Sequence, residues 1–237
     1  LIIVYMKGKD LIKLEHLSIL EINGKGSFEL LQGQITSDMG KVSQDNCVLG
    51  SICDIKGRVV SSFISAKNEK VNNSFFLIGE TKALEATQTI LEKYQPFYDC
   101  SLRQREDIKF YAIEETSLIR DFPESKLDIS LQNYDSFFRL HYLEKKYHLV
   151  AFTESREFKG YNISSDKLPW ELDEIINQNF EITSEVINKF TPHELGYHLN
   201  NRIDFEKGCY TGQEIVARMH YRAKKLPEII VRSTNKE

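Results

Sequence analysis

The stretch that decides the fold of this chain reads Lys207-Gly208-Cys209-Tyr210-Thr211-Gly212-Gln213-Glu214-Ile215-Val216-Ala217-Arg218. Its two glycines stand four residues apart and permit positive φ angles, which predicts a tight loop. After the second glycine, a carboxylate and two guanidinium groups follow at intervals of four residues, on Glu214, Arg218 and Arg222. This spacing places them on one face of a helix. Two interpretations are open: a glycine loop that presents a functional thiol, or a turn into an ion-paired surface helix with Cys209 as inert packing.

The composition is that of a globular protein with room for one large domain or two smaller ones: 237 residues, 41% hydrophobic and 28% charged. The formal net charge of −4 gives no excess of cations, so we expect no direct binding of nucleic acid. The cysteines show no CxxC pair and no zinc-ligand spacing, so we expect no metal site. The apolar residues 1–5 form too short a run for a signal peptide or a membrane span. We therefore expect a protein of the reducing cytoplasm, with no disulfides and no membrane partner.

Hydrophobic periodicity predicts a mixture of strands and helices. Strands are expected at residues 17–22, 48–52, 59–64, 75–78, 108–113, 137–143 and 147–152. Helices are expected at residues 28–35 and 82–95, after Pro169, and at the capping box Thr191-Pro192-His193-Glu194. Residues 114–132 are polar and are expected to form loops. Because the elements follow no regular βαβ order, the fold class is α+β.

Three patches of the sequence resemble one protein family. The patch at residues 190–222 contains residues 207–214, which, with Ala217-Arg218 behind them, carry all eight residues of the signature of the YgfZ-type folate-binding proteins. Residues 31–38 resemble the family element Leu-Gln-Gly-Gln-x-Thr-x-Asp, which borders the folate cleft, and residues 53–58 form the third patch. These proteins are relatives of the glycine-cleavage aminomethyltransferase, and they support iron–sulfur proteins and tRNA modification. The resemblance spans roughly residues 17–222.

The resemblance implies an aminomethyltransferase-like folate-binding fold with two lobes around a cleft. The N-terminal folate-binding lobe is expected at residues 1–107 and the second lobe, which carries the signature, at residues 108–237; the lobes need not be continuous in sequence. The family carries a β-barrel after the signature helix. Because only residues 223–237 follow that helix here, we expect the barrel to be short or absent.

The cofactor implied by the resemblance is tetrahydrofolate or a derivative. A pteridine ring needs an apolar or aromatic wall, a carboxylate at its polar edge and a cation for the glutamate tail. The candidate contacts are Gln32, Gln34, Thr36, Asp38, Trp170, Tyr210, Gln213, Glu214 and Arg218, beside the signature-loop residues Lys207, Gly208, Thr211 and Gly212. Two alternatives stay open: Trp170 as a core residue at a helix start, and Glu214 with Arg218 as an exposed ion pair.

The remaining candidate is Cys209, a functional thiol of unassigned role. The neighbouring Lys207 and the start of the following helix would both favour a thiolate. The aminomethyltransferases have a catalytic aspartate where Ser61 and Ser62 stand here, so we expect no aminomethyltransferase activity.

The function implied is a tetrahydrofolate-binding protein that supports iron–sulfur cluster assembly or repair, and thereby tRNA modification. Its expected partners are iron–sulfur proteins or their assembly factors. Two other functions stay open: a folate-dependent one-carbon transferase, and a non-catalytic adaptor with a degenerate folate fold.

Overall fold

The structure is a computed structural model that describes residues 10–114, 129–134, 137–142, 146–153, 162–227 and 229–230. Its strands are β1 (Asp10–Lys13), β2 (Leu17–Asn23), β3 (Val48–Cys53), β4 (Val59–Lys67), β5 (Ser74–Glu80), β6 (Ser101–Arg105), β7 (Ile108–Glu114), β8 (Ile129–Tyr134), β9 (Phe137–Tyr142), β10 (Tyr147–Thr153) and β11 (Asn162–Ser164). Its α-helices are α1 (Ser27–Gln32), α2 (Thr81–Leu91), α3 (Leu168–Ile176) and α4 (Gln213–Arg222). The predicted α+β class is confirmed.

The strands form two sheets. One has the order β3-β4-β5-β2-β6 and is antiparallel throughout; Ile19 of β2, for example, pairs with Ile78 of β5. The other has the order β11-β1-β7-β10-β9-β8, in which β1 runs parallel to β11 and antiparallel to β7. The break at residue 107 falls between β6 and β7, but β1 joins the sheet of the later strands. The division into two lobes stays a prediction.

The alternation of side chains along β2 explains why both faces of the five-stranded sheet are covered. Leu17 and Ile19 face a core shared with the six-stranded sheet. Leu20 and Ile22 face the opposite core, which α1 and α2 cover. A third core joins the end of this sheet to residues 180–205 and to Val216 of α4. This third core holds α4, and with it residues 207–218, against the end of the five-stranded sheet.

The helices α2 and α4 confirm the periodicity, with changes at their ends. Helix α2 was expected at residues 82–95 and spans Thr81–Leu91. The side chain of Glu80 caps it by accepting from the backbone N–H of Ala83 at 2.7 Å. The hydroxyl of Thr81 donates to the carbonyl of His16. The expected helix at 28–35 is the shorter α1, which ends at Gln32.

Helix α3 is inverted with respect to ordinary amphipathic helices. It buries Trp170, Asp173 and Glu174, while Leu172 and Ile176 are exposed. The buried carboxylate of Asp173 accepts from the backbone N–H groups of residues 146 and 147, at 3.2 and 3.1 Å. These bonds compensate the loss of water around the charge.

Three predictions of local structure were wrong. The capping box at Thr191 and Glu194 forms its two hydrogen bonds, but the residues after it are turns rather than a helix. Strands β1, β6 and β11 were not expected, because each is short and lacks an apolar run. Residues 129–132 belong to β8 rather than to a loop, and residues 115–128 and 143 lie outside the described residues. Among the described residues, no helix is long and apolar enough to cross a membrane.

Candidate functional site

The second glycine of the signature is required by close packing against the β3–β4 turn. Gly212 has a φ of +84°, and a Cβ built on it would lie 2.5 Å from the carbonyl oxygen of Asp54. Gly57 in that turn has a φ of +71°, and its Cβ would lie 2.9 Å from Ile215. The first glycine behaves differently, because Gly208 has no positive φ and nothing lies within 4 Å of its Cβ position. The prediction of a positive φ at Gly208 was wrong.

Lys207 joins the signature to residues 31–38, the second patch that resembles the family. Its Nζ donates to the backbone carbonyls of Gln32, Ile35 and Ser37 at 2.8, 2.7 and 3.0 Å. Burial lowers the pKa of Lys207 to about 8, so the amine is still charged at neutral pH. The three carbonyl oxygens therefore take up the ammonium donors that the sequence analysis directed at Cys209.

The polar side chains of residues 31–38 are held in the same contact. Gln34 Oε1 accepts from the hydroxyl of Thr211 at 2.8 Å. The hydroxyl of Thr36 donates to the carbonyl of Arg202 at 2.6 Å. Gln32 donates to Asp38 at 2.9 Å, and Asp38 also accepts from the N–H of Gly40. The structure thus brings these four predicted site residues to the signature region, where each forms an internal hydrogen bond.

A buried arginine that the sequence analysis missed lies beneath this contact. Arg202 is 1% exposed, and its Nη1 donates to the carbonyls of Gly50 and Phe63, each at 3.0 Å. Its Nη2 donates to Asn179 Oδ1, and Asn179 Nδ2 donates in turn to Glu174. The amide of Asn179 therefore links a buried cation to a buried carboxylate. In the sequence, only the surrounding run of polar residues is visible, which is typical of a surface.

Cys209 is exposed, whereas Cys47 and Cys53 are buried. Burial raises the pKa of the Cys47 thiol to about 12 and that of Cys53 still higher. The interpretation of Cys209 as a buried packing residue is therefore wrong. Its neighbour Tyr210 is buried, and the ammonium of Lys207 lies 5.2 Å from the centre of its ring.

The other two predicted contacts on α4 lie at the surface. Arg218 Nη2 and Glu214 Oε1 are 2.6 Å apart, and their side chains are 57% and 79% exposed. This is the ion pair of the alternative interpretation, although a ligand contact by either residue stays a prediction. Gln213 begins α4 directly after Gly212.

Trp170 is 1% exposed and packs in the core between the sheets. Val216 of α4 packs in a different core, so Trp170 and the signature helix do not share one wall. Next to the Trp170 core is a cavity of about 400 Å³. Its apolar lining comes from that same core: Leu14, Leu17, Ile108 and Phe110.

The polar lining of this cavity includes two atoms that are buried without a hydrogen-bond partner, Ser18 Oγ and Gln104 Nε2. The charged lining consists of three cations and three carboxylates: Lys13, Arg105 and Lys109, and Glu15, Glu85 and Glu106. Buried polar atoms without partners are rare in folded proteins, and a bound polar ligand or water satisfies them. The cavity therefore has the apolar walls and unused polar groups of a ligand site.

Three histidines and a phenylalanine form a stack that includes His220 of α4. The ring of His193 lies 5.0 Å from that of His198 and 5.9 Å from that of His220, which stacks on Phe205 at 3.7 Å. Burial lowers the pKa of His193 to about 4, and neither of its ring nitrogens has a hydrogen-bond partner among the residues that the structure describes. Across the described residues, no group of three metal-ligating side chains is placed to hold a metal ion.

Comparison with known proteins places these features in context. The chain is 29% identical over 229 residues to the tRNA-modifying protein YgfZ of Colwellia psychrerythraea, covering 90% of this chain and 68% of that protein. It is 27% identical over 211 residues to the tRNA-modifying protein YgfZ of Aliivibrio fischeri, covering 86% of this chain and 65% of that protein. This chain resembles the YgfZ proteins. The resemblance expected from the signature is confirmed, and no protein-family model matches the chain.

The fold is that of the aminomethyltransferases. The glycine cleavage system aminomethyltransferase T of Bartonella henselae superposes with a TM-score of 0.66 at 13% identity, over 91% of this chain and 64% of that chain. The predicted fold class is therefore confirmed, and the described residues form two open sheets rather than a closed barrel. The chain spans about two thirds of the length of the YgfZ proteins and of the transferase that it matches.

Proposed function

We propose that this protein binds tetrahydrofolate and supports iron–sulfur cluster assembly or repair in the cytoplasm, and through it tRNA modification. The observation that carries the folate part is the cavity beside the Trp170 core, together with the similarity to YgfZ proteins and to an aminomethyltransferase. The proposed partners are iron–sulfur proteins or their assembly factors.

The cavity suits a pteridine ring by its chemistry. The ring is flat and apolar on its faces, which fits the walls formed by Leu17 and Phe110. Its polar edge carries donors and acceptors that Ser18 Oγ and Gln104 Nε2 can bond. The anionic tail would be attracted by Lys109 at the rim. We therefore place the ring in this cavity, which is lined by residues of the core that also contains Trp170, and not against the exposed pair on α4.

The folate proposal is tested by titrating the protein with tetrahydrofolate under anaerobic conditions. Trp170 is the only tryptophan, so its emission should change as the neighbouring cavity fills, and calorimetry should give the same affinity. Replacing Gln104 with leucine removes one neutral hydrogen bond, about 0.5–1.5 kcal/mol, and should weaken binding roughly 2–12-fold. The matched control is Gln88→Leu, because Gln88 bonds Glu92 on the exposed side of α2. The folate proposal fails if millimolar tetrahydrofolate gives neither heat nor quenching.

The iron–sulfur part depends on the exposed thiol of Cys209. A thiol at the surface, directly before a loop into a helix, can ligate iron or exchange with a partner thiol. We expect Cys209→Ala to fold and to bind folate normally, and to abolish support of iron–sulfur enzymes in cells. Cys100→Ala serves as the control, because Cys100 is half-buried and its pKa is raised by burial. Full support by the Cys209 variant would remove this part of the proposal.

The geometry gives no support to the alternative of an aminomethyl transferase. Ser61 Oγ is hydrogen-bonded to Thr87, and Ser62 Oγ accepts from the backbone N–H of Ile182 at 2.9 Å. Both hydroxyls are buried, and neither can supply the carboxylate that would stabilise a cationic intermediate. Incubation with an aminomethylated lipoyl carrier and tetrahydrofolate should release no ammonia. The remaining alternative is an adaptor that binds no folate. The titration with tetrahydrofolate tests it, because an adaptor would leave the emission of Trp170 unchanged.

A further inference from the structure

Exposed lysines and arginines lie in the β3–β4 turn, at residue 189 and at the C-terminal end of α4. We call this surface the cationic face; it consists of Lys56, Arg58, Lys189, Arg222, Lys224 and Lys225. All six side chains are exposed, and none pairs with a carboxylate of the described residues. Other exposed cations of the protein do form such pairs, for example Lys13 with Glu15 and Lys41 with Asp204.

Specific contacts hold the three segments together. The β3–β4 turn lies against α4, where Gly57 meets Ile215. The guanidinium of Arg58 donates to the carbonyl of Lys189, and the N–H of Asn188 donates to the carbonyl of Val59 at 2.9 Å. Arg222 ends α4 and Lys224 and Lys225 follow it, at the end where the helix dipole favours positive charge. Because the β3–β4 turn packs against α4, the fold brings the backbones of these segments to neighbouring positions.

The carboxylates near this face are occupied by other bonds. Asp54 accepts from the backbone N–H groups of Lys56 and Arg58 at 2.8 and 2.9 Å. Glu194 accepts from Thr191. Asp54 and Glu194 keep their charges while they accept these bonds, but the six cations of the face outnumber these two carboxylates, although the whole chain carries a net charge of −4. The net charge sums over the whole chain, whereas one part of a folded surface can still carry an excess of positive charge.

An exposed aromatic ring adjoins the cations. Tyr221 is 64% exposed, and it precedes Arg222 at the end of α4. The ring of His220 lies 4.8 Å away and that of Phe205 lies 6.0 Å away, both edge-on. A tyrosine supported in this way offers a fixed plane on which a nucleobase can stack. An acidic protein would use the cations but would have no special need of the ring.

We propose that the cationic face binds an RNA strand, with its phosphates on the lysines and arginines and a base stacked on Tyr221. The choice of RNA over other polyanions rests on the proposed function in tRNA modification. This proposal departs from the expectation, based on the net charge, that nucleic acid is not a direct partner. Binding at this face would bring RNA to the surface next to the helix that Cys209 precedes.

The test is fluorescence anisotropy with labelled unfractionated tRNA at 50 and 200 mM salt. Binding should weaken steeply with salt, because each neutralised phosphate releases counterions. The variant R222Q/K224Q/K225Q should bind at least tenfold more weakly and should lower the slope of log K against log salt by about 2–3. The matched control K82Q/K93Q neutralises two exposed lysines of the α2 region and should bind like the wild type. Tyr221→Ala should weaken binding roughly 5–150-fold without changing the salt slope.

Three outcomes would overturn the proposal: no salt-dependent binding of tRNA, equal losses in K82Q/K93Q, or no effect of Tyr221→Ala together with equal binding of polyglutamate. The last would assign the face to an acidic protein. Quenching of Trp170 by tetrahydrofolate should be the same in all variants and also reports that they are folded. A failure of RNA binding is therefore distinguishable from a failure of the folate proposal.

Discussion

Replacing Arg202 with methionine tests the buried network beneath the signature. The change removes two bonds to the carbonyls of Gly50 and Phe63 and the bond to Asn179. It also breaks the link through Asn179 between the guanidinium and the buried carboxylate of Glu174. Removing one partner from a buried charge network costs about 3–5 kcal/mol, and the methionine stem restores part of the packing. We expect the free energy of unfolding to fall by about 3 kcal/mol and the Tm by roughly 6–12 °C.

The assay is urea unfolding followed by the emission of Trp170, which is buried in the native state. Arg202→Lys should recover little, because a single ammonium cannot replace the planar fork of donors. The control is Arg103→Met, an exposed cation on β6, which should change the free energy by less than about 0.5 kcal/mol. A loss below about 1 kcal/mol at Arg202, with an unchanged m-value, would refute the reasoning.

Three further predictions concern residues around α4. Gly212→Ala should lower the free energy of unfolding by at least about 2 kcal/mol in the same urea assay, because φ is positive and the added Cβ would touch a carbonyl. Gly208→Ala should leave the free energy of unfolding nearly unchanged, because open space surrounds that position. Equal losses in the two variants would contradict this. Burial lowers the pKa of His193 to about 4 in the folded protein, so the unfolded chain binds the proton at a higher pH than the folded protein does. The free energy of unfolding of the wild type should therefore fall by up to about 3 kcal/mol between pH 6.5 and 4. For His193→Phe the free energy of unfolding should depend less on pH, and the same pH dependence as in the wild type would contradict this. Glu214→Ala breaks an exposed pair with Arg218 and should change stability by less than about 0.5 kcal/mol and leave folate affinity unchanged in calorimetry; a clear loss of affinity would return Glu214 to the ligand site.

Local sequence patterns predicted the elements whose cause is local. The helix after Gly212, the helix α2 and the strand β2 follow from glycine geometry, helical spacing and an apolar run. The motif at residues 207–214 led to the correct fold because it is long and specific. These features depend on residues close together in the chain, so a single sequence contains the information.

The features that could not be predicted depend on contacts between distant residues. Arg202 stands among polar neighbours, and only its partners in β3 and β4 make it a core residue. Helix α3 has an apolar stripe that lies outward, because Asp173 and Glu174 find bonding partners inside. The cationic face is assembled from three segments that lie far apart in the sequence, so no single stretch of the chain contains it. In each case tertiary contacts override the local pattern.

The hydrogen bonds of Arg202 join residues that are synthesised at very different times. Its partner Gly50 lies 152 residues earlier in the chain, and a ribosome adds about 5–20 residues per second. The sheet edge formed by β3 and β4 therefore waits roughly 8–30 s for the arginine that satisfies its carbonyls. Loops of this length close slowly, because their entropy is lost before the contact is gained. During synthesis the carbonyls of Gly50 and Phe63 thus lack their arginine partner until residue 202 has been added.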